Sequence, residues 1–164
     1  MKNNITSMLR SILLILAVSL PLPGFAGVEG DPANNMGILR DKVTADKKFV
    51  VANNMNLTES EAKAFWPVYE AYQQDMRVID ERLAKVIDEY AAAYNQGPVP
   101  DSTATKLIEE AIGVEMAEVK LKQSYVPKLS KVLPGAKVAR YLQIESKIRA
   151  ITRFELASAI PLVD

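Results

Sequence analysis

The 164-residue chain has no cysteine and no histidine. Without thiols there is no disulfide framework, no thiolate metal site and no cysteine nucleophile. Without imidazole the usual general base and the commonest transition-metal ligand are missing. Hydrolase triads that use histidine are therefore excluded. Glycine is sparse, and its seven copies are scattered so that neither G-x-G-x-x-G nor G-x-x-x-x-G-K-[ST] occurs. Net charge is lacking too: 20 Lys and Arg balance 20 Asp and Glu, which argues against a chain built mainly to coat nucleic acid. What remains, 49% apolar and 24% charged residues, is the composition of one ordinary globular domain.

Only one apolar run is long, and it lies at the start. Met1 to Arg10 carries Lys2 and Arg10 and no acid, Ile12 to Leu20 is apolar, Pro21 and Pro23 break the run, and Gly24-Phe25-Ala26 places small residues before Gly27. This order of basic, apolar and small-residue regions predicts a signal peptide over 1–26, cut after Ala26. A retained anchor is the alternative, but spanning hydrocarbon takes about 20 apolar residues and this run stops about halfway. The mature chain would hold 138 residues, with 18 bases against 20 acids. An exported chain without cysteine suits the periplasm of a bacterial envelope, and about 140 residues bury enough surface to stand without disulfide staples.

Beyond a Gly/Pro/Asn-rich flexible lead over 27–37, the periodicity is helical, and a single all-helical domain is expected over 38–164. Ile38 to Val51 predicts a short helix through Ile38, Leu39, Val43, Phe49 and Val50. Thr58 followed by Glu61 reads as a capping box, in which hydroxyl and carboxylate each take a backbone N–H left over at a helix start. Phe65, Tyr69, Tyr72, Met76, Ile79, Leu83, Val86, Tyr90 and Tyr94 follow at alternating steps of three and four, which places them in one seam. Such a rod, about 45 Å long, must be covered by a second helix or a second chain. Pro67 predicts a kink, and the segment Asn95 to Pro100 ends the helix, with Asp101 or Ser102 as the next cap.

A third helix is expected from Thr103 to about Ser124. Its seam is Leu107, Ala111, Val114, Glu118 and Leu121, extending to Tyr125, and Glu118 is the misfit in it. Pro127 and Leu133-Pro134-Gly135 interrupt the chain, although Tyr125 to Val132 can continue as helix after a bend. A fourth helix follows from Ala136 to about Ala159, with Tyr141, Ile144, Ile148, Ile151 and Phe154 on one side. The expected fold is all-α: four helices with a long central hairpin, kinked near Pro67 and near Pro127 to Pro134, since short connections favour antiparallel neighbours.

The zero net charge is a cancellation. Leu57 to Glu118 holds 13 acids against 5 bases, and Val119 to Glu155 holds 9 bases against 2 acids. Either the basic segment docks on the acidic helices of its own chain or a partner subunit, or it meets something anionic such as phospholipid headgroups, lipopolysaccharide or an acidic polypeptide. The candidate surface is Lys137, Arg140, Lys147, Arg149 and Arg153. Nucleic acid is not the expected partner, because no aromatic residues are interleaved as a stacking platform. Asp80-Glu81, Asp88-Glu89 and Glu109-Glu110 are adjacent pairs, about 100° apart on a helix, and read as solvated faces. No metal site, cofactor or catalytic constellation is expected, and Met76 and Met116 read as core filler.

Leu57-Thr58-Glu59-Ser60-Glu61 followed by Phe65 resembles the L-T-x-x-Q signature of the Spy/CpxP family of bacterial periplasmic proteins. Leu133-Pro134-Gly135-Ala136-Lys137, followed by Arg140 and Tyr141, resembles a second copy 76 residues later. Glu61 and Lys137 stand where the signature has glutamine and Pro134 where it has threonine; with Trp66-Pro67-Val68-Tyr69 and Tyr141 to Glu145, these mark a divergent branch. The resemblance implies a hairpin-rich helical fold forming a thin curved homodimer. It also implies an ATP-independent chaperone or envelope-stress role, with non-native envelope polypeptides as partners, or an adaptor role on a membrane sensor. Leu57, Thr58, Glu61, Phe65, Pro67, Leu133, Pro134, Tyr141 and Glu145 read as architecture rather than ligand contacts. Glu145 can pair with Arg149 at i,i+4, or Arg140 can reach an acidic neighbour, and neither arrangement needs a ligand.

Overall fold

A computed structural model describes residues 46–163. The predicted leader, the lead over 27–37 and the start of the first helix at Ile38 lie outside the described residues. Those described form four α-helices and no strand: α1 (46–55), α2 (Glu59–Gln96), α3 (Asp101–Ser130) and α4 (Gly135–Ala159). No described helix is long and apolar enough to cross a membrane.

The capping box at the start of α2 is formed as expected. The Thr58 hydroxyl accepts from the Glu61 N–H at 3.3 Å, and the Glu61 carboxylate accepts from the Thr58 N–H at 2.8 Å. From there α2 runs 38 residues, about 57 Å at 1.5 Å per residue. It stays helical through Pro67 and stops at Gly97, whose φ of 137° is a backbone conformation that only glycine adopts at no steric cost.

The start of α3 differs from expectation. Pro100, not Asp101 or Ser102, occupies the N-cap position, and no side chain caps the helix. Its carbonyl accepts from the N–H groups of both Thr103 and Ala104 at 2.9 Å, and its fixed φ suits a helix entrance. Pro134 does the same for α4, accepting from Lys137 and Val138. The end of α3 also differs, because the helix passes through Pro127 to Ser130 instead of stopping near Ser124. The break falls over 131–134, where the Val132 and Leu133 N–H groups return to the Leu129 carbonyl.

The hairpin of α2 and α3 carries most of the core. Phe65, Tyr69, Tyr72, Met76 and Ile79 of α2 meet Val114, Tyr125 and Leu129 of α3. Val51 and Met55 of α1, Leu133 of the turn, and Val138 and Tyr141 of α4 close over them. A smaller cluster of Ile87, Ala91 and Leu156 sits toward the far end. The seam of α2 therefore changes register: Ile87 and Ala91 are buried where Val86, Tyr90 and Tyr94 were expected. A seam spaced by threes and fours drifts about 20° per heptad on a straight helix, so over four heptads the inner face passes to the next row.

Helix α4 turns differently from its expected seam. Val138, Tyr141, Glu145, Ile148 and Leu156 are buried, whereas Ile151 and Phe154 are 52% and 74% exposed. Polar contacts set this rotation, since Glu145, Arg149 and Arg153 all reach inward from α4. Met116 is likewise exposed rather than core filler.

Candidate functional site

The two motif copies lie against each other. Lys137 pairs with Glu61 and also donates to the Asn56 carbonyl. Tyr141 meets Phe65 edge-on at 5.1 Å between ring centroids, and Leu57 and Leu133 belong to the same apolar cluster. The hydrogen bond from Lys137, followed by that of the Thr58 backbone, holds the Glu61 carboxyl below its ordinary pKa. Thr58, Glu61 and Pro134 start helices, and Leu57, Phe65, Leu133 and Tyr141 fill the space between them.

Around Tyr141 the rings form a continuous set. Tyr69 and Tyr72 lie 6.0 and 5.9 Å from it, and Tyr72 meets Tyr125 at 5.1 Å. The Tyr141 hydroxyl accepts from Gln73 at 3.2 Å, and the Tyr125 hydroxyl donates to Asp75 at 2.6 Å. The hydroxyls of Tyr69 and Tyr72 are buried and find no partner among the described residues. Burial, then the Glu145 charge, pushes the phenols of Tyr69, Tyr72 and Tyr141 well above the usual range. These hydroxyls stay protonated and are poor candidates for proton transfer near neutral pH.

The predicted basic surface is mostly consumed inside the chain. Besides Lys137, Arg140 donates through Nε to the Asn54 carbonyl, which closes α1 onto α4; among the described residues no acidic side chain is its partner. Arg149 bridges Asp80 at 2.7 Å and Glu118 at 3.0 Å. Arg153 reaches Glu118 at 2.9 Å and Glu115 at 3.8 Å. Lys147 is exposed. Of the partners open to it, Glu145 takes Lys47 at 2.8 Å and the Gln73 amide at 2.9 Å rather than Arg149.

Glu118, the misfit of the α3 seam, is the centre of this network. It is 3% exposed and binds Lys122 at 2.9 Å together with the two arginines. Burial by itself would raise its carboxyl, but the Lys122 hydrogen bond and the Arg149 charge outweigh burial and hold it at about 2. A charge is tolerable at a buried seam position only when paired and hydrogen-bonded in this way.

With most of the expected bases engaged, an open groove lies elsewhere. A groove of about 360 Å³ runs between the start of α2 and the end of α3, lined by Pro67, Val68, Ala71, Tyr125, Lys128, Lys131 and Val132. Its floor is apolar, its border carries two lysines, and Lys128 Nζ sits 3.8 Å from the centroid of the Tyr125 ring. Sequence reasoning named Pro67 as architecture and did not single out Lys128 and Lys131, although those two are three apart and so share a helix face. A second hollow, of about 460 Å³, lies under the α2–α3 turn around Gly97, Pro98 and Pro100. Among the described residues no cluster of acidic side chains is arranged to hold a metal ion. Comparison with known proteins leaves the assignment to the geometry: no family model matches the chain, no curated protein matches it, and no solved structure matches it.

Proposed function

We propose that the protein is an exported, periplasmic, non-enzymatic binding protein of Spy/CpxP-like kind. In this reading it acts as a homodimer and holds non-native envelope polypeptides without nucleotide. The observation that carries the reading is the groove between Pro67 and Val132, an apolar floor bordered by Lys128 and Lys131. Acidic stretches of a client are attracted by the lysines, and an apolar side chain enters the groove. Fully burying one such side chain contributes about 1.5–3 kcal/mol, far short of the roughly 8 kcal/mol of a micromolar complex. Capture therefore needs several weak contacts, and release needs no ATP.

The test is suppression of aggregation of a chemically unfolded client by the purified protein without ATP. The expected result is suppression near stoichiometric ratio, lost in Val68→Glu and weakened in the double variant Lys128→Glu, Lys131→Glu. No suppression at stoichiometric excess would sink the proposal. Recovery of one stoichiometric partner from envelope extract would favour an adaptor on a membrane sensor instead.

A further inference from the structure

The two walls of the Pro67–Val132 groove differ in chemistry. Pro67, Val68 and Ala71 on α2 carry no charge, whereas Lys128 and Lys131 stand on the α3 side. Both lysines are exposed, and among the described residues neither takes part in an ion pair; Lys128 lies over the Tyr125 ring instead. Lys131 keeps helical φ and ψ at the end of α3. Residues three apart are neighbours on a helix surface, about 5–6 Å between Cβ atoms, so one carboxylate can accept from both ammonium groups. The α2 wall adds an acceptor: Pro67 lies inside the helix and has no N–H, so the Lys63 carbonyl is left without its helical donor.

An apolar floor with two cations on one side and a spare carbonyl on the other complements a group that joins an apolar body to an anion and an N–H. A fatty acid has the first two and no donor. The extent of the groove fixes how the three are connected. Pro67 to Ala71 covers about 6 Å of helix, the length of two residues of an extended chain, and a long acyl chain would overrun it. Successive side chains of an extended chain point to opposite faces. An acid next to an apolar residue is therefore turned away when the apolar side chain is in the groove, and an acid two residues on lies about 7 Å further along, past the end. At a chain terminus, by contrast, the carboxylate and the apolar side chain belong to one residue.

We infer, resting on the reading of this groove as the client site, that it takes the carboxyl-terminal residue of a polypeptide ending in a large apolar side chain. The terminal carboxylate sits between Lys128 and Lys131, the side chain lies over Val68 and Ala71, and the terminal N–H faces the Lys63 carbonyl. Capture of a free chain end by a paired cation and an apolar hollow is a recognised mode of peptide binding.

Fluorescence anisotropy of a labelled glycine–serine peptide ending in phenylalanine, titrated with the purified protein, tests this. The expected result is saturable binding between ~10 µM and ~1 mM, the range of a few weak contacts. Binding should weaken at least tenfold when the terminal carboxylate is amidated or the phenylalanine is replaced by serine. Lys128→Gln combined with Lys131→Gln should bring the acid down to the level of the amide, and raised salt should do so in part. Both lysines are exposed, so this double variant should keep the helical circular dichroism of the wild type. Absence of binding, equal binding of acid and amide, or equal binding by the double variant and the wild type would each overturn the inference. So would equal affinity for an amidated peptide with phenylalanine followed by aspartate inside the chain, or displacement by dodecanoate at concentrations below the peptide's own dissociation constant, which would make the groove an acyl site. If Val68→Glu loses client protection while acid and amide bind alike, the groove remains the client site and the selection of chain ends fails. If acid and amide differ but Val68→Glu keeps client protection, the terminal site stands and the client reading of the groove fails.

Discussion

Lys137 is paired with Glu61, 76 residues earlier in the chain, so that the first turn of α4 is fastened to the first turn of α2. Both residues stand where the resembled signature has glutamine. An acid and a base in those places form a complementary ion pair that two glutamines would not. The second correspondence of the motif, Phe65 with Tyr141, is a ring contact at the same spacing. Two helix starts are thus joined as a unit, by charge at the surface and by rings beneath.

This pair should behave as a coupled one. Glu61→Gln and Lys137→Gln should each lower the melting temperature, and the double variant should lose less than the two singles together, because each single leaves one partner unmatched. The lowered Glu61 carboxyl stabilises the fold above its ordinary value of 4.5, and that contribution fades as pH falls below it. A double-mutant cycle by thermal denaturation at pH 7 checks the coupling, and strict additivity would contradict it.

Glu118 should be the most sensitive polar position. Glu118→Gln leaves Arg149 and Arg153 facing an amide, and breaking a buried ion pair costs about 3–5 kcal/mol. The folded carboxyl is depressed to about 2 from 4.5. Its stabilisation is therefore complete above pH 4.5 and is lost as pH falls toward 2. Urea unfolding at a series of pH values should show a shallower acid slope in Glu118→Gln than in the wild type.

The tyrosines should separate by their hydroxyls. Tyr125 donates to Asp75, and burial followed by that bond pushes its phenol up to about 12. Tyr125→Phe should cost about 0.5–1.5 kcal/mol. The buried Tyr69 and Tyr72 hydroxyls lack partners among the described residues, so Tyr72→Phe should be neutral or stabilising, since removing an unpaired buried polar atom relieves its desolvation. Denaturant midpoints of the two variants decide this; a large loss in Tyr72→Phe would reveal a partner.

The register of α4 can be checked with paired substitutions. Ile148 is 7% exposed and Phe154 is 74% exposed. Ile148→Ala should cost about 2–5 kcal/mol, whereas Phe154→Ser should stay within about 0.5 kcal/mol. The reverse ranking would restore the apolar seam as the inner face of α4.

Much of the architecture is legible along the chain because its signals are local. Thr58 and Glu61 cap a helix within four residues, Phe65 to Ile79 repeat on one face for four turns, and Gly97 with its flanking prolines ends the rod. A proline near a helix end is less decisive. Pro127 reads as an interruption that helix can follow, and α3 does continue through it to Ser130, with Tyr125, Leu129 and Leu133 anchoring both sides of it in the core. The α4 seam misled for a related reason: hydrophobicity alone weighted Ile151 and Phe154, while charged groups chose the inner face.

The sequence by itself determined the helix count, the hairpin, the capping box and the segregation of acidic from basic halves, since propensity, period and charge are properties of neighbours along the chain. Only the tertiary structure decided that Glu118 is the hub rather than the flaw, that Glu145 goes to Lys47, and that most of the basic candidates are already engaged. Among the described residues it also left the groove at Lys128 open. Those outcomes depend on which faces meet across long stretches of chain, Glu118 meeting Arg149 and Glu145 meeting Lys47. A buried carboxylate stays charged only where distant cations converge on it, and no local pattern records that convergence.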